Sequence, residues 1–275
     1  MINSNNIKRL MVSITQANTE PWLSIWKEGQ EKTWMMKYNK KATILNYKSK
    51  APPKFLAKFD VCHEKYRYHG KIGKYVSIFD KIFALITSKK IPKYDYIESA
   101  NLLVVDSYSM YLLTNKRNLS LFKFFIEETE CDFLFQTNTS SYVECVKLFE
   151  VVENFDPKSY VYAGYVVEPQ SARAFVSGAG RLLSRASVEL MYRHYKQFPH
   201  NNLEDVSIGD FMRKFGVKPH HLKRLDLPNL KVLKSTSDQE LSDNFLFRCK
   251  SDEIPRKDVI IMHELHNRLN QNLIN

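Results

Sequence analysis

Hydrophobic positions recur along the chain in two rhythms. RLMVSI (9 to 14), ATILNY (42 to 47), NLLVVDS (101 to 107), DFLFQ (132 to 136) and SYVYAGYVV (159 to 167) are short apolar runs with the length and side-chain types of strands. Between them the period lengthens to that of a helix. Ile78, Ile82, Phe83 and Ile86 share a face within 77 to 88, as do Leu121, Phe124 and Phe125 within 117 to 128. Strands alternating with helices predict an α/β sheet with helices on its faces.

The second half has a different texture. FVSGAGRLLSRASVELMYRHY reads as a glycine turn and then a helix with Val188, Met191, Tyr192 and Tyr195 on one side. In LEDVSIGDFMRKFGV, Ile208, Phe211, Met212 and Phe215 fall at i, i+3, i+4 and i+7, and Gly216 is placed to stop the helix. Glu204 and Asp205 then sit at or just before its first turn, where the helix dipole favours negative charge. No linker-like stretch and no repeat interrupts the chain, so residues 1 to 275 read as one domain whose two halves form a cleft.

Composition narrows the picture. Apolar runs such as LLVV and IFALI are far shorter than the roughly 20 residues of a membrane span, and the N-terminal residues lack the pattern of a secretory signal. The expectation is a cytoplasmic protein. Cys62, Cys131, Cys145 and Cys249 stand apart and form no paired ligand motif, so they are expected to be reduced core thiols. The net charge of +11 favours an anionic partner.

Several local signals have competing readings. The segment 48 to 74 interleaves lysines and Arg67 with Phe55, Phe59, Tyr66 and Tyr68. It reads as a loop over a nucleotide site, with peripheral contact to an anionic membrane or a glycan as the next possibility; nucleic acid comes last, because no known binding motif accompanies it. In HELH, His263 and His266 are three apart, which does not match the metalloprotease spacing, so a C-terminal helix surface is expected. His220 and His221 suggest a loop. Trp22, Trp34 and Tyr108 are either core residues or platforms for a base or sugar. Lys116 is expected to fix its own helix. Arg181 and Arg185 are either surface charge or contacts for an anionic acceptor.

Four segments resemble, in order, the β1,3-glycosyltransferase family that includes Fringe and the β1,3-galactosyltransferases: GQEKTW (29 to 34), DSYSMYLLTNK (106 to 116), VSGAG (176 to 180) and EDVSIG (204 to 209). The resemblance implies a GT-A fold, a Rossmann-like nucleotide-sugar half (about 1 to 145) joined to an acceptor half (about 146 to 275). It also implies one inverting displacement from a UDP-sugar onto a hydroxyl of a glycan or lipid-linked glycan, with a β1,3 linkage. Asp205 occupies the family's base position, with Glu204 as second choice, and the helix N-terminus is expected to keep Asp205 ionised. Asp106 would contact the donor; Ser177, Gly178, Ala179 and Gly180 would face the acceptor. Ser13 and Thr15 are donor-side candidates by position at the end of the first strand.

The chain departs from the family where a divalent metal would bind. The strand matching DFLFQ ends there in an Asp-x-Asp triplet that holds Mn²⁺, whereas here the tip is Asn138, Thr139 and Ser140. Hard cations normally require carboxylates, so no divalent cofactor is expected and the tip would touch the donor directly. The family's late metal-binding His is matched by Arg248, with Lys250 two residues on. Arg248 and Lys250 are therefore expected to neutralise the departing diphosphate. The reading is a metal-independent inverting glycosyltransferase of bacterial or viral surface polysaccharide assembly. The alternatives are a catalytically inactive GT-A protein that binds glycan or nucleotide and, more distantly, a basic nucleic-acid-binding protein.

Overall fold

The computed structural model describes residues 10–16, 19–38, 43–51, 54, 90–108, 113–168, 173–199 and 203–271. The helix expected at 77 to 88, Cys62 and most of the basic segment 48 to 74 lie outside these residues.

A mixed sheet forms the centre. β1 (Leu10–Thr15) lies between β2 (Thr43–Lys50) and β5 (Phe133–Asn138) and is parallel to both. β4 (Leu102–Tyr108) extends the parallel set beyond β2, and β3 (Tyr94–Ile97) closes that edge antiparallel. Beyond β5 the direction reverses: β8 (Phe175–Ser184) is antiparallel to β5, β7 (Tyr162–Val167) antiparallel to β8, and β9 (His220–His221) adds parallel to β7. The order is β3-β4-β2-β1-β5-β8-β7-β9, so one sheet carries both halves of the chain. A smaller sheet contains β6 (Ser141–Val143), β10 (Leu225–Asp226) and β11 (Leu246–Arg248) in the order β10-β11-β6.

The alternation of a strand divides the core into two. Leu10, Val12 and Ile14 of β1 enter one cluster with Phe133, Phe135, Leu246 and Phe247, while Met11 points the other way into a cluster with Leu45, Leu103, Phe122, Phe125 and Phe211. A strand buried on both faces has no polar side to show, which is why β1 reads as a nearly continuous apolar run. The first cluster is covered by α1 (Ile25–Met35), a segment of wide π-type turns, and by α8 (Asp258–Gln271). The second is covered by α2 (Thr114–Glu128), α4 (Arg185–Arg193) and α5 (Glu204–Lys214). α3 (Cys145–Glu153), α6 (Leu230–Ser235) and α7 (Asp238–Ser242) contribute to the first. Cys131, Cys145 and Cys249 are buried in these cores.

Three expectations are corrected. SGAG is no turn; it lies inside the ten-residue strand β8. Its glycines make room for close neighbours, since a Cβ on Gly180 would stand 2.4 Å from a Leu246 methyl and 2.9 Å from the Phe135 ring. His220 and His221 form β9 rather than a loop, because their backbones pair with Ala163 and Gly164. The HELH histidines dock α8 instead of decorating its surface: His263 Nε2 lies 2.6 Å from the Glu28 carbonyl, and His266 Nδ1 lies 2.8 Å from the Tyr142 hydroxyl. Gly216 ends α5 as expected, at φ +74°.

Gly164 and Gly216 provide a controlled comparison. Gly164 has φ +150° at a bulge between β7 and β8, and a Cβ there would fall 2.5 Å from the Gly180 carbonyl oxygen, whereas Gly216 has open space around it. Gly216→Ala should cost only the left-handed backbone penalty of about 1–2 kcal/mol. Gly164→Ala adds overpacking of roughly 1–3 kcal/mol to backbone strain, and should show the larger loss in urea unfolding.

Candidate functional site

The tip of β5 explains its own composition. Asn138 Oδ1 accepts from the Ser140 amide (3.1 Å) and lies 3.2 Å from the Ser141 hydroxyl, and its Nδ2 donates to Gly178 O (3.3 Å). The hydroxyls of Thr137 and Ser141 both donate to Ala179 O at 2.7 Å. From α1, the buried Gln30 donates through Nε2 to the carbonyls of Asn138 (2.9 Å) and Ser141 (2.7 Å). Amides and hydroxyls are needed here because the turn between β5 and β6 is buried and its carbonyls require donors. The side chains expected to meet a donor are thus largely spent on the turn, and Thr139 and Ser140 are buried within it.

Three arginines converge on this tip. Arg248, half-buried at the end of β11, pairs by backbone register with Ser141 and Asp226. Arg224 donates to Asp226 through two nitrogens (2.6 and 2.9 Å) and to the Ser177 hydroxyl (2.8 Å), and its guanidinium stacks 4.0 Å from the Tyr165 ring centre. Arg256 pairs with the fully buried Asp258, donates to the Ser140 hydroxyl (3.0 Å) and stacks 4.2 Å from the Trp22 ring centre. Each of these two cations has its own carboxylate. Arg248 makes no side-chain hydrogen bond or ion pair among the described residues; burial, then Arg224, pushes its pKa below the ordinary arginine value, with Arg256 adding to the effect. An arginine that is half-buried among like charges and lacks an acceptor is a site for an anion.

The carboxylates lie on the neighbouring surface. α5 begins at Glu204, as the sequence indicates, and packs on β8. Glu204 is clamped: the fully buried Arg181 of β8 pairs with its Oε1, which also accepts from Asn118 Nδ2 at 2.5 Å. Gln136, opposite Arg181 in β5, accepts from the same guanidinium at 2.8 Å. Arg181 is therefore not surface charge, and it ties the acidic end of α5 to the strand. Arg185 is also structural, donating to the carbonyls of Ile126, in the last turn of α2, and of Thr129 and Cys131 just beyond it.

Asp205 is the carboxylate left available. It accepts from the Val206 backbone N–H (2.9 Å), and the Gly178 backbone N–H lies near enough to favour its charged form. Contrary to the expectation from its helix position, its pKa is raised: burial and then the adjacent Glu204 charge outweigh the two backbone donors and Arg181. It also lies close enough to Arg248 to attract it electrostatically. A carboxylate made more basic by burial is better suited to accepting a proton than an ordinary surface aspartate.

The remaining expected residues are distributed around this centre. Thr15 ends β1 half-buried beside Asn138, while Ser13 is fully buried inside the strand. Ser177 and Gly178 border Asp205 and Arg224; Ala179 and Gly180 are buried against the tip of β5 and Leu246. Asp106 is exposed on β4, separated from β1 by β2, and paired with Lys50 at 2.6 Å. Lys250 is exposed just past β11. Arg181 enters the sequence reading only as surface charge or an acceptor contact, and Gln30, Arg224 and Arg256 have no role in it. The only local signal for the last two is an Asp two residues after each Arg.

The donor set at the tip does not fit a hard divalent ion. Asn138 Oδ1 already accepts from the Ser140 amide, the tip groups are neutral, and among the described residues no three His, Cys, Asp or Glu side chains come together to hold a metal. Among the same residues, no helix is long and apolar enough to cross a membrane.

No protein-family model matches the sequence. No curated protein matches it either. Among solved structures the chain is similar to the galactosyltransferase LgtC in complex with donor and acceptor sugar analogues, with TM-score 0.46, 10% identity and coverage of 94% of this chain and 95% of that one. It is also similar to a glycosyltransferase involved in glycosylation of the major capsid of PBCV-1 (TM-score 0.43, 8% identity, 93% and 98% covered). A third is GlyE of Streptococcus pneumoniae TIGR4 (TM-score 0.41, 12% identity, 96% and 62% covered).

Two variants test the carboxylate assignment. Glu204→Ala leaves Arg181 buried without its anion and should cost about 3–5 kcal/mol in urea unfolding. Asp205 behaves oppositely. With its folded pKa above the unfolded value of about 3.9, the native state binds the extra proton, so Asp205 reduces stability as pH rises through that window. Asp205→Asn should therefore be at least as stable as the parent at pH 7, with the advantage disappearing near pH 3.

Proposed function

We propose that the chain is a GT-A glycosyltransferase that moves a sugar from a UDP-sugar to a glycan hydroxyl by a single inverting displacement, without a divalent metal. The observation that carries this reading is the pairing of a half-buried, basic-shifted Asp205 with Arg248, an arginine without a side-chain hydrogen bond or ion pair among the described residues, beside the carboxyl ends of β1 and β5. Ligands of open α/β sheets bind at such ends. Sequence motifs shared with β1,3-glycosyltransferases, EDVSIG above all, supply the reaction class.

The division of labour follows from charge. Asp205 takes the proton from the acceptor hydroxyl as that oxygen attacks the anomeric carbon. The bond to the diphosphate breaks on the opposite face, and its growing negative charge is met by Arg248, with Arg224 and Arg256 behind it. Charge-assisted hydrogen bonds of this kind contribute about 1.5–3 kcal/mol each. Glu204 is a poor competitor for the proton because Arg181 and Asn118 already occupy its Oε1. A β1,3 linkage and a role in bacterial or viral surface polysaccharide assembly belong to the same reading. So do a glycan or lipid-linked acceptor and peripheral membrane contact through 48 to 74.

Turnover of a UDP-sugar panel, followed as UDP release with and without excess EDTA, tests this. Release should survive chelation. Asp205→Asn should retain UDP binding and lose transfer by about 10²- to 10⁴-fold. Arg248→Ala should weaken UDP binding by about 10- to 100-fold, one to two steps of 1.4 kcal/mol. Release that vanishes with EDTA would contradict metal independence, and UDP binding without turnover of any donor would leave an inactive binding protein.

A further inference from the structure

A cavity of about 420 Å³ opens beside Arg224, between the β7–β9 edge and α7. Its volume falls within the roughly 300–1,000 Å³ of small-molecule sites. On one side stand the rings of Tyr165 and His221, 5.4 Å apart. On the other stand Gln239, Glu240 and Asp243, and Lys223 completes the rim. We infer that this cavity is a pyranose-binding pocket selective for uncharged sugars, and that it presents the acceptor to Asp205.

The selectivity follows from the lining. Arg224 is already neutralised by its two contacts to Asp226, which leaves Lys223 facing Glu240 and Asp243. An anionic sugar would meet two carboxylates, and a cationic one would meet Lys223. A neutral polyol gains from both signs, because each hydroxyl can donate to a carboxylate and accept from an ammonium or amide. His221 contributes in the same way: its Nδ1 accepts from the Val166 amide at 3.3 Å, so the neutral ring carries its proton on Nε2. The Tyr165 and His221 rings offer an apolar wall for the C–H face of a sugar.

The connection to the base is short. Arg224, in the cavity wall, donates to the Ser177 hydroxyl, and the backbone N–H of the next residue, Gly178, lies near enough to Asp205 to favour its charged form. Consecutive Cα atoms are about 3.8 Å apart, so the cavity wall and the base share one step of β8. Gly178 keeps that step bare, since a Cβ there would meet only the Glu204 carboxylate, at 3.5 Å. The part of this inference that concerns presentation to Asp205 rests on the proposed transfer reaction; the pocket and its selectivity do not.

The test is ligand-observed saturation-transfer NMR on the intact chain with lactose, maltose, cellobiose and chitobiose, and with glucuronate and glucosamine as charged probes, each with and without saturating UDP. At least one neutral disaccharide should bind, the charged probes should bind more weakly, and UDP should not displace it. Tyr165→Ala and, independently, the exposed Gln239→Ala should each weaken that binding by at least about tenfold, with folding of each variant checked by circular dichroism. Absence of binding by every neutral sugar, preference for a charged probe, displacement by UDP, or undiminished binding in folded variants would overturn the inference. Neutral-sugar binding that both variants remove, in a chain that turns over no UDP-sugar, would uphold the pocket while refuting the transfer reaction.

Discussion

The ion pair between Arg181 and Glu204 is the constraint on which the site depends. It crosses from the middle of β8 to the first residue of α5, with Arg181 fully buried and Glu204 partly so. Burying an unpaired guanidinium is prohibitive, so wherever Arg181 lies inside the sheet, an anion must follow. That requirement fixes the start of α5 against β8. The next residue, Asp205, is thereby held against Gly178 with its own carboxylate unclaimed by any cation's hydrogen bond. One carboxylate anchors the helix and its neighbour is left for chemistry.

Charge matching then separates structural arginines from the functional candidate. Arg181, Arg224 and Arg256 each have a carboxylate, and each joins two parts of the chain: β8 to α5, β10 to β8, and the segment before α8 to the tip of β5. Arg248 sits among them with no side-chain ion pair among the described residues, although Asp226 and Asp205 lie near enough to attract it. In water such an imbalance would be screened over about 8 Å at physiological salt, but a half-buried group is screened less. The hydroxyls and amides of the β5 tip belong to the same arrangement. They satisfy carbonyls at a buried turn and add no negative charge that would cancel Arg248.

Much of this was legible in the sequence where the determinants are local. β1, β4 and β5 fall within a residue or two of their apolar runs, and α5 starts on Glu204 and stops at Gly216 because helix termini have short-range chemistry. The misreadings share a cause. SGAG looks like a turn until Leu246 and Phe135, distant in sequence, are seen to occupy the space that side chains would need. Arg181 looks like surface charge until Glu204, Gln136 and Asn118 are brought around it. The direction of the Asp205 pKa shift escapes the sequence for the same reason: a helix terminus is visible in sequence, whereas the burial that outweighs it is not. Gln30 carries no local signal at all, because its role is to supply donors to carbonyls more than a hundred residues away.

The central claim is that Arg248 is a cation awaiting a diphosphate, and calorimetry of UDP against uridine in excess EDTA tests it most directly. If the arginine cluster grips the diphosphate, UDP should bind at least about tenfold to a hundredfold tighter than uridine, as expected from one or two charge-assisted hydrogen bonds. Equal affinities for UDP and uridine in the absence of metal would contradict the account.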